Sequence, residues 1–396
     1  MLVRVRRGDN LWYYSQLFRL PLQLVIDSNG GVNPNALQVG ALARIPGYTI
    51  QSYTIQSGDT FWTLSREFGL PIDSIFLLNQ QTNPTMLQVG TNLLLPRRVT
   101  AKIADITDDY RFSKMTADLD QLTEIYPFIR RRVIGRSVMG KPIEEIKVGN
   151  GLKRVHLNGS FHAHEWITTP VLVDFLNEYL LAMTNQQTIR EIPVLPFYNE
   201  VELSIVAMVN PDGVDLVIDG LPDEEPYRSD VLEINNRSTD FSGWRANIQG
   251  VDLNNQYPAS WEEEAATKPA QPAPRDFPGY APLTEPESIA IAELTIESDF
   301  SRVLAFHTQG EVIFWGFQGF EPPESEVIVE EFARVSGFRP IQYVDSYAGY
   351  KDWFIEQWRR PGYTVELGLG ENPLPFSDYP KLYEDAQAII LASLYM

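Results

Sequence analysis

The most informative stretch of this chain is Phe161-His162-Ala163-His164-Glu165-Trp166. The whole sequence has only 4 histidines, and two of them lie here beside a glutamate. A third, His307, ends the apolar run at residues 303–306. Two imidazoles and one carboxylate form the three-ligand set of an open catalytic zinc site. We therefore predict that His162, Glu165 and His307 bind one zinc ion.

The composition narrows the class of protein. A chain of 396 residues is too long for one small domain and predicts two or three. Hydrophobic residues at 44% and aromatic residues at 12% can build a sizeable core. The absence of cysteine excludes a disulfide framework and a thiolate metal site. A formal net charge of −20 argues against nucleic acid as a partner. No apolar run approaches the roughly 20 residues that a membrane-spanning helix needs.

The charge is divided unevenly along the chain. Residues 1–100 carry 8 Lys/Arg against 5 Asp/Glu, whereas the remaining residues carry 24 against 47. The N-terminal segment is therefore a separate unit. Its net positive charge allows contact with an anionic surface, and two independently solvated domains account for the same pattern equally well.

The first hundred residues contain an internal repeat with a period of 50 residues and no gap. Residues 5–12 return as residues 55–62, and residues 37–40 return as residues 87–90. Each copy predicts a strand, a Gly-Asp turn, two helices and a short strand. The Gly-Asp pair predicts both the turn and the N-cap of the first helix.

These features resemble the LysM module, a small βααβ domain that binds glycans containing N-acetylglucosamine. The resemblance implies a glycan site between the Gly-Asp loop and the loop after the second helix. The candidate glycan-binding residues are Gly8, Asp9, Asn29, Gly58, Asp59 and Asn79. Trp12 and Trp62, which follow the two Gly-Asp turns, are expected to lie in the module cores.

Strand-like and helical runs alternate after residue 110 and predict one large α/β domain. Buried strands are predicted at residues 155–158, 203–209, 303–306 and 363–367, and helices at residues 171–183, 285–296, 326–336 and 379–394. Thr284 with Glu287 predicts a capping box on the second helix, and residues 222–282 predict long loops. We expect LysM modules at residues 1–48 and 51–98, a linker at 99–108 and the α/β domain at 109–396.

The α/β segment is similar to the zinc carboxypeptidase family from about residue 110 to the end. Predicted strand ends, where such sheets gather their active sites, carry His162, His307 and Glu366. The motifs that carry the resemblance are Tyr-Pro at 126, Ile-Gly-Arg-Ser at 134, His-x-x-Glu-Trp-Ile, Asn-Pro-Asp-Gly, Gly-Val-Asp-x-Asn, the lone His307, Asp-Trp and Val-Glu-Leu. The resemblance implies a mixed sheet flanked by helices, one zinc ion and peptide-bond hydrolysis.

The family's functional residues can be matched one by one. His162, Glu165 and His307 match the zinc ligands. Glu366 matches the general base that takes a proton from the attacking water, and Arg245 matches the arginine that stabilises the oxyanion. Asn254 matches a substrate-binding asparagine. His164 occupies a variable position, where we expect a surface residue or one outside the ligand set, and His156 is expected to be structural.

The departures from the family concern substrate specificity. In true carboxypeptidases an arginine follows the asparagine and clamps the terminal carboxylate, but this chain has Asn255 there. The family's mobile tyrosine falls nearest Val344, with Tyr343 and Tyr347 beside it, so Tyr347 is a candidate only. Lys351 occupies the specificity position, where it is either a substrate-binding cation or a solvated lysine.

The combination of LysM modules with this catalytic segment resembles one branch of the family, found in sporulating bacilli. That branch hydrolyses the γ-D-glutamyl–meso-diaminopimelate (or L-lysine) bond of peptidoglycan stem peptides. A metallocarboxypeptidase that trims ordinary C-termini is an alternative, against which Asn255 argues. A glycan-binding protein without catalysis is another, against which the complete set of catalytic residues argues.

The N-terminus shows no secretion signal of the usual kind. We therefore expect a cytoplasmic or spore-associated protein, or one that reaches the cell wall by lysis or a non-classical route. The expected partners are stem peptides and glycan containing N-acetylglucosamine, with no nucleic acid and no membrane span.

Overall fold

The computed structural model describes residues 1–396 and divides into two compact units. Unit 1 comprises Met1–Ala104, Leu119–Arg130 and Asn177–Leu195. Unit 2 comprises Asp105–Asp118, Arg131–Leu176 and Pro196–Met396. No helix is both long and apolar enough to cross a bilayer.

Each repeat in unit 1 forms the predicted strand, two helices and strand. The elements of the first copy are β1 (Leu2–Arg4), α1 (Leu11–Phe18), α2 (Leu22–Asp27) and β2 (Leu42–Arg44). Those of the second copy are β3 (Tyr48–Thr54), α3 (Phe61–Glu67), α4 (Ile72–Leu78) and β4 (Asn92–Arg98). β1 pairs antiparallel with β2, and β3 pairs in the same way with β4. The prediction of two βααβ modules is confirmed.

The aspartates of the two Gly-Asp turns are not the helix N-caps, so this detail of the sequence prediction is wrong. Asn10 caps α1, where its Oδ1 accepts from Tyr13 N at 2.7 Å, and Thr60 caps α3. The Asp9 carboxylate instead accepts from the backbone N–H of Arg6 and from the Tyr14 hydroxyl, at 2.9 and 2.8 Å. The aspartate therefore closes the turn, and the next residue begins the helix.

Trp12 and Trp62 are exposed, so the expectation that they lie in the cores is wrong. Trp12 retains 57% of its accessible surface and Trp62 retains 64%. Helix α1 buries Leu11, Tyr14, Ser15 and Phe18, which share one face at helical spacing. The residue directly after Leu11 therefore points away from that face into solvent.

The rest of the chain forms a mixed eight-stranded sheet, a separate two-stranded sheet made of β8 and β9, and helices. The elements in chain order are α5 (Phe112–Ile125), β5 (Arg130–Arg136), β6 (Pro142–Val148), β7 (Lys153–Gly159), α6 (Thr168–Asn185), β8 (Thr188–Ile189), β9 (Ile192–Pro193), α7 (Phe197–Glu200), β10 (Val201–Val206), α8 (Pro211–Asp219), α9 (Tyr227–Ile234), α10 (Trp261–Ala265), α11 (Pro286–Ser298), β11 (Arg302–Thr308), β12 (Val312–Phe314), α12 (Glu324–Ser336), β13 (Arg339–Ile341), α13 (Tyr350–Trp358), β14 (Gly362–Leu367) and α14 (Tyr379–Tyr395).

The strand order in this sheet is β13-β12-β14-β11-β7-β10-β6-β5. The four central strands β14, β11, β7 and β10 run parallel to their neighbours in that group. Strands β6 and β12 are antiparallel to the central strands that they flank. All seven residues of β11 are buried, as expected for a strand covered on both faces. The prediction of an α/β fold with a mixed sheet flanked by helices is confirmed.

One local prediction in unit 2 is wrong, and another is confirmed only in part. The segment 222–282 contains the helices α9 and α10 as well as loops, because its short helices are too polar to show a clear apolar period. The capping box does not form, since α11 begins at Pro286 with Glu285 as its N-cap. Thr284 Oγ1 lies 3.1 Å from Gln256 Oε1, and Glu287 Oε1 accepts from Val138 N at 3.0 Å. A proline at the first helical position sets the start of the helix instead.

Candidate active site

Three neighbouring parallel strands bring the predicted site residues together. β11 lies between β7 and β14, so the carboxyl ends of all three meet at one edge of the sheet. His307 lies in β11 directly opposite Glu366 of β14 in the register. The chain leaves β7 at Gly159 and reaches His162 three residues later. Residues more than 200 positions apart in the sequence therefore share one site.

The three predicted zinc ligands converge on one point. His162 Nδ1 lies 2.8 Å from Glu165 Oε1, and His307 Nδ1 lies 2.9 Å from Glu165 Oε2. The two Nδ1 atoms are 3.1 Å apart. All three side chains are buried, and one donor atom from each lies within 4.8 Å of the others. This compact set of two imidazoles and a carboxylate, at the wall of a cavity, fits the open zinc site of a hydrolase.

Asp252 orients His162 from the side opposite the proposed metal. Its Oδ1 lies 3.3 Å from His162 Nε2, and its Oδ2 accepts from Arg245 Nε at 2.7 Å. Burial disfavours the charged carboxylate, but the Arg245 and His162 charges outweigh it and hold the pKa of Asp252 far below its ordinary range. A carboxylate on the outer nitrogen fixes the ring and leaves Nδ1 free to bind metal. Asp252 is not among the predicted site residues, although it belongs to the Gly-Val-Asp-x-Asn motif.

Glu366 lines the same cavity as two of the proposed metal ligands, His162 and Glu165. The cavity measures about 540 Å³ and is lined by His162, Glu165, Arg245 and Glu366, among others. Desolvation, together with the nearby Glu165 charge, raises the pKa of Glu366 to about 8. A carboxylate with a raised pKa beside a metal site has the proton affinity that a general base needs. A bound dication would lower that pKa, because it favours the ionised form.

The predicted substrate-binding residues line this cavity too. They are Asn254, Asn255, Tyr347 and Lys351. Asn254 Oδ1 accepts from the Tyr350 N–H at 3.2 Å, which leaves its amide nitrogen available. The backbone N–H of Tyr347 donates to Glu264 at 2.8 Å. The structure thus brings all four to one cavity, and their roles remain predictions.

Lys351 is buried, so the alternative of a solvated lysine is wrong. Its Nζ donates to the Gly316 carbonyl at 2.7 Å and lies 2.5 Å from Asp352 Oδ1. Both members of this ion pair line the main cavity and a smaller neighbouring cavity of about 340 Å³. Asp352, which is not among the predicted site residues, therefore accompanies Lys351 in the lining of both cavities.

The two remaining histidines have different surroundings. His164 is buried and borders the cavity, so a surface position is excluded. His156 lies within β7, where its Nδ1 is 3.0 Å from Ser204 Oγ and its ring stacks on Phe300. Neither histidine belongs to the group of potential metal ligands.

The candidate glycan residues build the loops of the LysM modules. The Asn79 side chain donates to the Ile75 and Leu94 carbonyls and accepts from the Leu94 N–H, all at 2.8–2.9 Å. Asn29 makes the equivalent bonds in the first module. Gly8 and Gly58 adopt positive φ values of 94° and 92°, which favour glycine. Their contribution to glycan binding stays a prediction.

The sheet, the buried ligand set and the carboxylate beside it define a class of protein, and comparison with known families agrees. The chain belongs to the zinc carboxypeptidase family, whose model (Peptidase_M14) matches residues 115–388. The LysM domain model matches residues 3–42 and 53–96. The protein is therefore a zinc metallopeptidase of this family with two LysM domains, and His162, Glu165 and His307 are the residues that could hold the ion.

One relative matches the whole chain. It is the γ-D-glutamyl-L-diamino acid endopeptidase 1 of Lysinibacillus sphaericus, which is 58% identical over 396 residues, the full length of both proteins. The uncharacterized protein YqgT of Bacillus subtilis (strain 168) is 44% identical over 290 residues, which cover 72% of this chain and 77% of that protein. Bovine thrombin-activatable fibrinolysis inhibitor, solved with a tick carboxypeptidase inhibitor, shares the fold with a TM-score of 0.55 at 17% identity, covering 72% of this chain and 96% of that one.

Proposed function

We propose that this protein hydrolyses the γ-D-glutamyl–meso-diaminopimelate (or L-lysine) bond of peptidoglycan stem peptides. The observation that carries the proposal is the 58% identity over the whole length of an endopeptidase named for a γ-D-glutamyl-L-diamino acid bond. The site is consistent with that activity, because His162, Glu165, Arg245 and Glu366 line one cavity. The LysM domains would direct the enzyme to glycan that contains N-acetylglucosamine.

The catalytic residues take complementary roles in this proposal. A zinc ion held by His162, Glu165 and His307 would polarise the scissile carbonyl and acidify a water molecule. Glu366 accepts the proton of the attacking water and passes it to the leaving amine. Arg245, fixed by its bond to Asp252, stabilises the negative charge that develops on the carbonyl oxygen.

The substrate-binding residues favour an internal bond over a free C-terminus. Asn255 cannot form the bidentate grip on a terminal carboxylate that an arginine forms at that position. We propose that the diamino acid, which leaves as the amine, lies at the cavity end formed by Asn255, Lys351 and Asp352. The charged ends of diaminopimelate match the buried Lys351–Asp352 pair at that end.

The place of action follows from the proposed substrate. We propose that the enzyme acts on the cell wall, which it reaches by lysis or a non-classical route, or from the spore. The basic N-terminal repeats suit contact with an anionic wall polymer.

Mass spectrometry of L-Ala-γ-D-Glu-meso-diaminopimelyl-D-Ala tests the proposal directly. Incubation with the protein is expected to release L-Ala-D-Glu, and a zinc chelator is expected to abolish that release. Loss of D-Ala alone would instead show a carboxypeptidase. No cleavage of this peptide or its L-lysine analogue would favour a protein that only binds glycan.

A further inference from the structure

Three cationic side chains line the catalytic cavity, and one of them, Arg275, is held only by a single ion-pair contact. Arg245 is bonded to Asp252, and Lys351 is buried against Asp352 and a carbonyl. Arg275 makes no hydrogen bond, and its one ion-pair contact is from Nε to Asp276 Oδ2 at 3.4 Å. Its side chain is 58% exposed, so the terminal amino groups remain available at the rim of the cavity.

The backbone around Arg275 is anchored beside the catalytic arginine. The carbonyl of Pro274 accepts from the backbone N–H groups of Arg245 and Ala246, at 2.8 and 3.0 Å. The carbonyl of Phe277 accepts from the Asp252 N–H at 2.7 Å. The segment that carries Arg275 therefore runs along the segment that carries the proposed oxyanion arginine, and its position does not depend on a free loop.

The side chains of Arg245 and Arg275 also approach different oxygens of the Asp276 carboxylate. Arg245 Nε is 4.0 Å from Asp276 Oδ1, and Arg275 Nε is 3.4 Å from Asp276 Oδ2. Asp276 contacts each guanidinium at Nε, so the terminal nitrogens of Arg275 are left for a ligand. Arg275 thus lies beside the proposed oxyanion arginine in the lining of the cavity.

The proposed substrate carries a free negative charge close to its scissile bond. In a γ-linked D-glutamyl residue the side-chain carbonyl forms the scissile amide, and the α-carboxylate stays free on the acyl side. An ordinary α-linked peptide has a neutral amide at its equivalent position. A planar guanidinium pairs with a carboxylate through two parallel hydrogen bonds, which makes it suited to distinguish the two.

We propose, on the basis of the proposed function, that Arg275 binds the free α-carboxylate of the γ-linked D-glutamyl residue. Arg275 is thereby the specificity-determining residue of the acyl side, and the enzyme discriminates against stem peptides in which that carboxylate is amidated. Lys351 and Asp352 hold the diamino acid of the same substrate.

Kinetics of the full chain on two matched peptides test this inference. One peptide contains γ-D-glutamate and the other contains γ-D-isoglutamine, which replaces the α-carboxylate with a neutral amide of the same shape. The wild-type protein is expected to cleave the glutamate peptide with a kcat/KM at least tenfold higher. Arg275→Met is expected to remove that preference by slowing the glutamate peptide alone, and Arg275→Lys to keep part of it. Arg66→Met, which changes an exposed arginine of α3, serves as the control and should leave both rates unchanged.

The outcomes separate this inference from the function on which it rests. Equal cleavage of both peptides by the wild type, or an equal loss on both in Arg275→Met, would overturn the role of Arg275 and leave the proposed function intact. A wild-type protein that cleaves neither peptide would overturn both. The assignment is supported if Arg275→Met loses the preference for the glutamate peptide and still cleaves the amidated peptide at the wild-type rate.

Discussion

Asp252 shows how one buried side chain can organise a catalytic centre. Its two oxygens contact His162 and Arg245, so a single carboxylate aligns a metal ligand and the proposed oxyanion arginine. Arg245 is a cation and His162 can become one, and their positive charge stabilises the buried Asp252 carboxylate. Because the Asp252 N–H is bonded to Phe277, the carboxylate is itself fixed by the segment that carries Arg275.

The role of Glu366 is tested by an isosteric change. Glu366→Gln removes the proton acceptor but none of the three proposed metal ligands. We expect zinc content to stay at one ion per chain and kcat to fall by about 10²–10⁴. Metal analysis and peptide hydrolysis would be measured together, with Glu330→Gln on the exposed side of α12 as the control. Turnover close to that of the wild type would exclude Glu366 as the base.

His156 gives the fold a defined response to acid. Burial lowers the pKa of His156 to about 3, whereas an unfolded histidine titrates near 6.5. Below about pH 6.5 the unfolded chain takes up a proton that the folded chain does not. The free energy of unfolding should therefore decrease as the pH falls, by up to about 1.4 kcal/mol per pH unit for this residue.

Denaturant unfolding at several pH values between 6.5 and 5 tests the His156 prediction. The decrease in stability with falling pH should be smaller in His156→Gln than in the wild-type protein. Contributions from the other 3 histidines are common to both proteins and cancel in the comparison. The same pH dependence in both would show that His156 is not the group responsible.

At the scale of single elements, one asparagine joins the second helix of each LysM module to its last strand. In module 2 the bonds run from Asn79, which follows α4, to Leu94 in β4. The side-chain amide therefore bonds to the backbone N–H and C=O of Leu94, as the backbone of a neighbouring strand would. The repeat of this arrangement at Asn29 explains the central asparagine in both copies without any reference to a ligand.

Asn79→Ala should destabilise the module that contains it. The change leaves the Leu94 N–H without its partner, at a cost of about 1–3 kcal/mol. The expected result is a lower unfolding midpoint, measured by circular dichroism on the full chain. Gln81→Ala, an exposed neighbour, should leave that midpoint unchanged. An equally small effect of both changes would show that the asparagine does not stabilise the module.

At the scale of the whole molecule, the chain combines two LysM domains with a zinc peptidase domain. The LysM copies share a core, because Leu77 of the second copy packs in the hydrophobic cluster of the first. The Arg6 guanidinium of the first copy also forms a bidentate ion pair with Asp73 of the second, at 2.9 and 2.6 Å. The two modules therefore present their surfaces, including the exposed Trp12 and Trp62, as one unit.

Exposed tryptophans in both modules give a test of targeting in the intact protein. Trp12→Ala with Trp62→Ala should weaken binding to insoluble peptidoglycan several-fold, since tryptophan side chains are enriched at binding interfaces. Hydrolysis of a soluble stem peptide should be unchanged. Leu152→Ala, which changes a 93% exposed apolar side chain outside the modules, is the control. Unaltered wall binding in the double variant would show that the surfaces around Trp12 and Trp62 do not bind the cell wall.

The sequence by itself determined the features that depend on local pattern and residue type. The 50-residue repeat, the main strands and helices, and the scarce histidines each leave a signal within a short window. These signals were sufficient to predict two βααβ modules, an α/β sheet and the convergence of His162, Glu165 and His307, because parallel strands align their carboxyl ends.

Only the tertiary structure decided which side chains meet across loops and which way each one points. The contact of Asp252 with His162 and the position of Arg275 beside Arg245 join segments whose polar composition has no period. The exposure of Trp12 depends on which face of α1 is buried. The burial of Lys351 depends on a partner loop at Gly316. Such contacts are set by packing between distant segments, which a single sequence does not record.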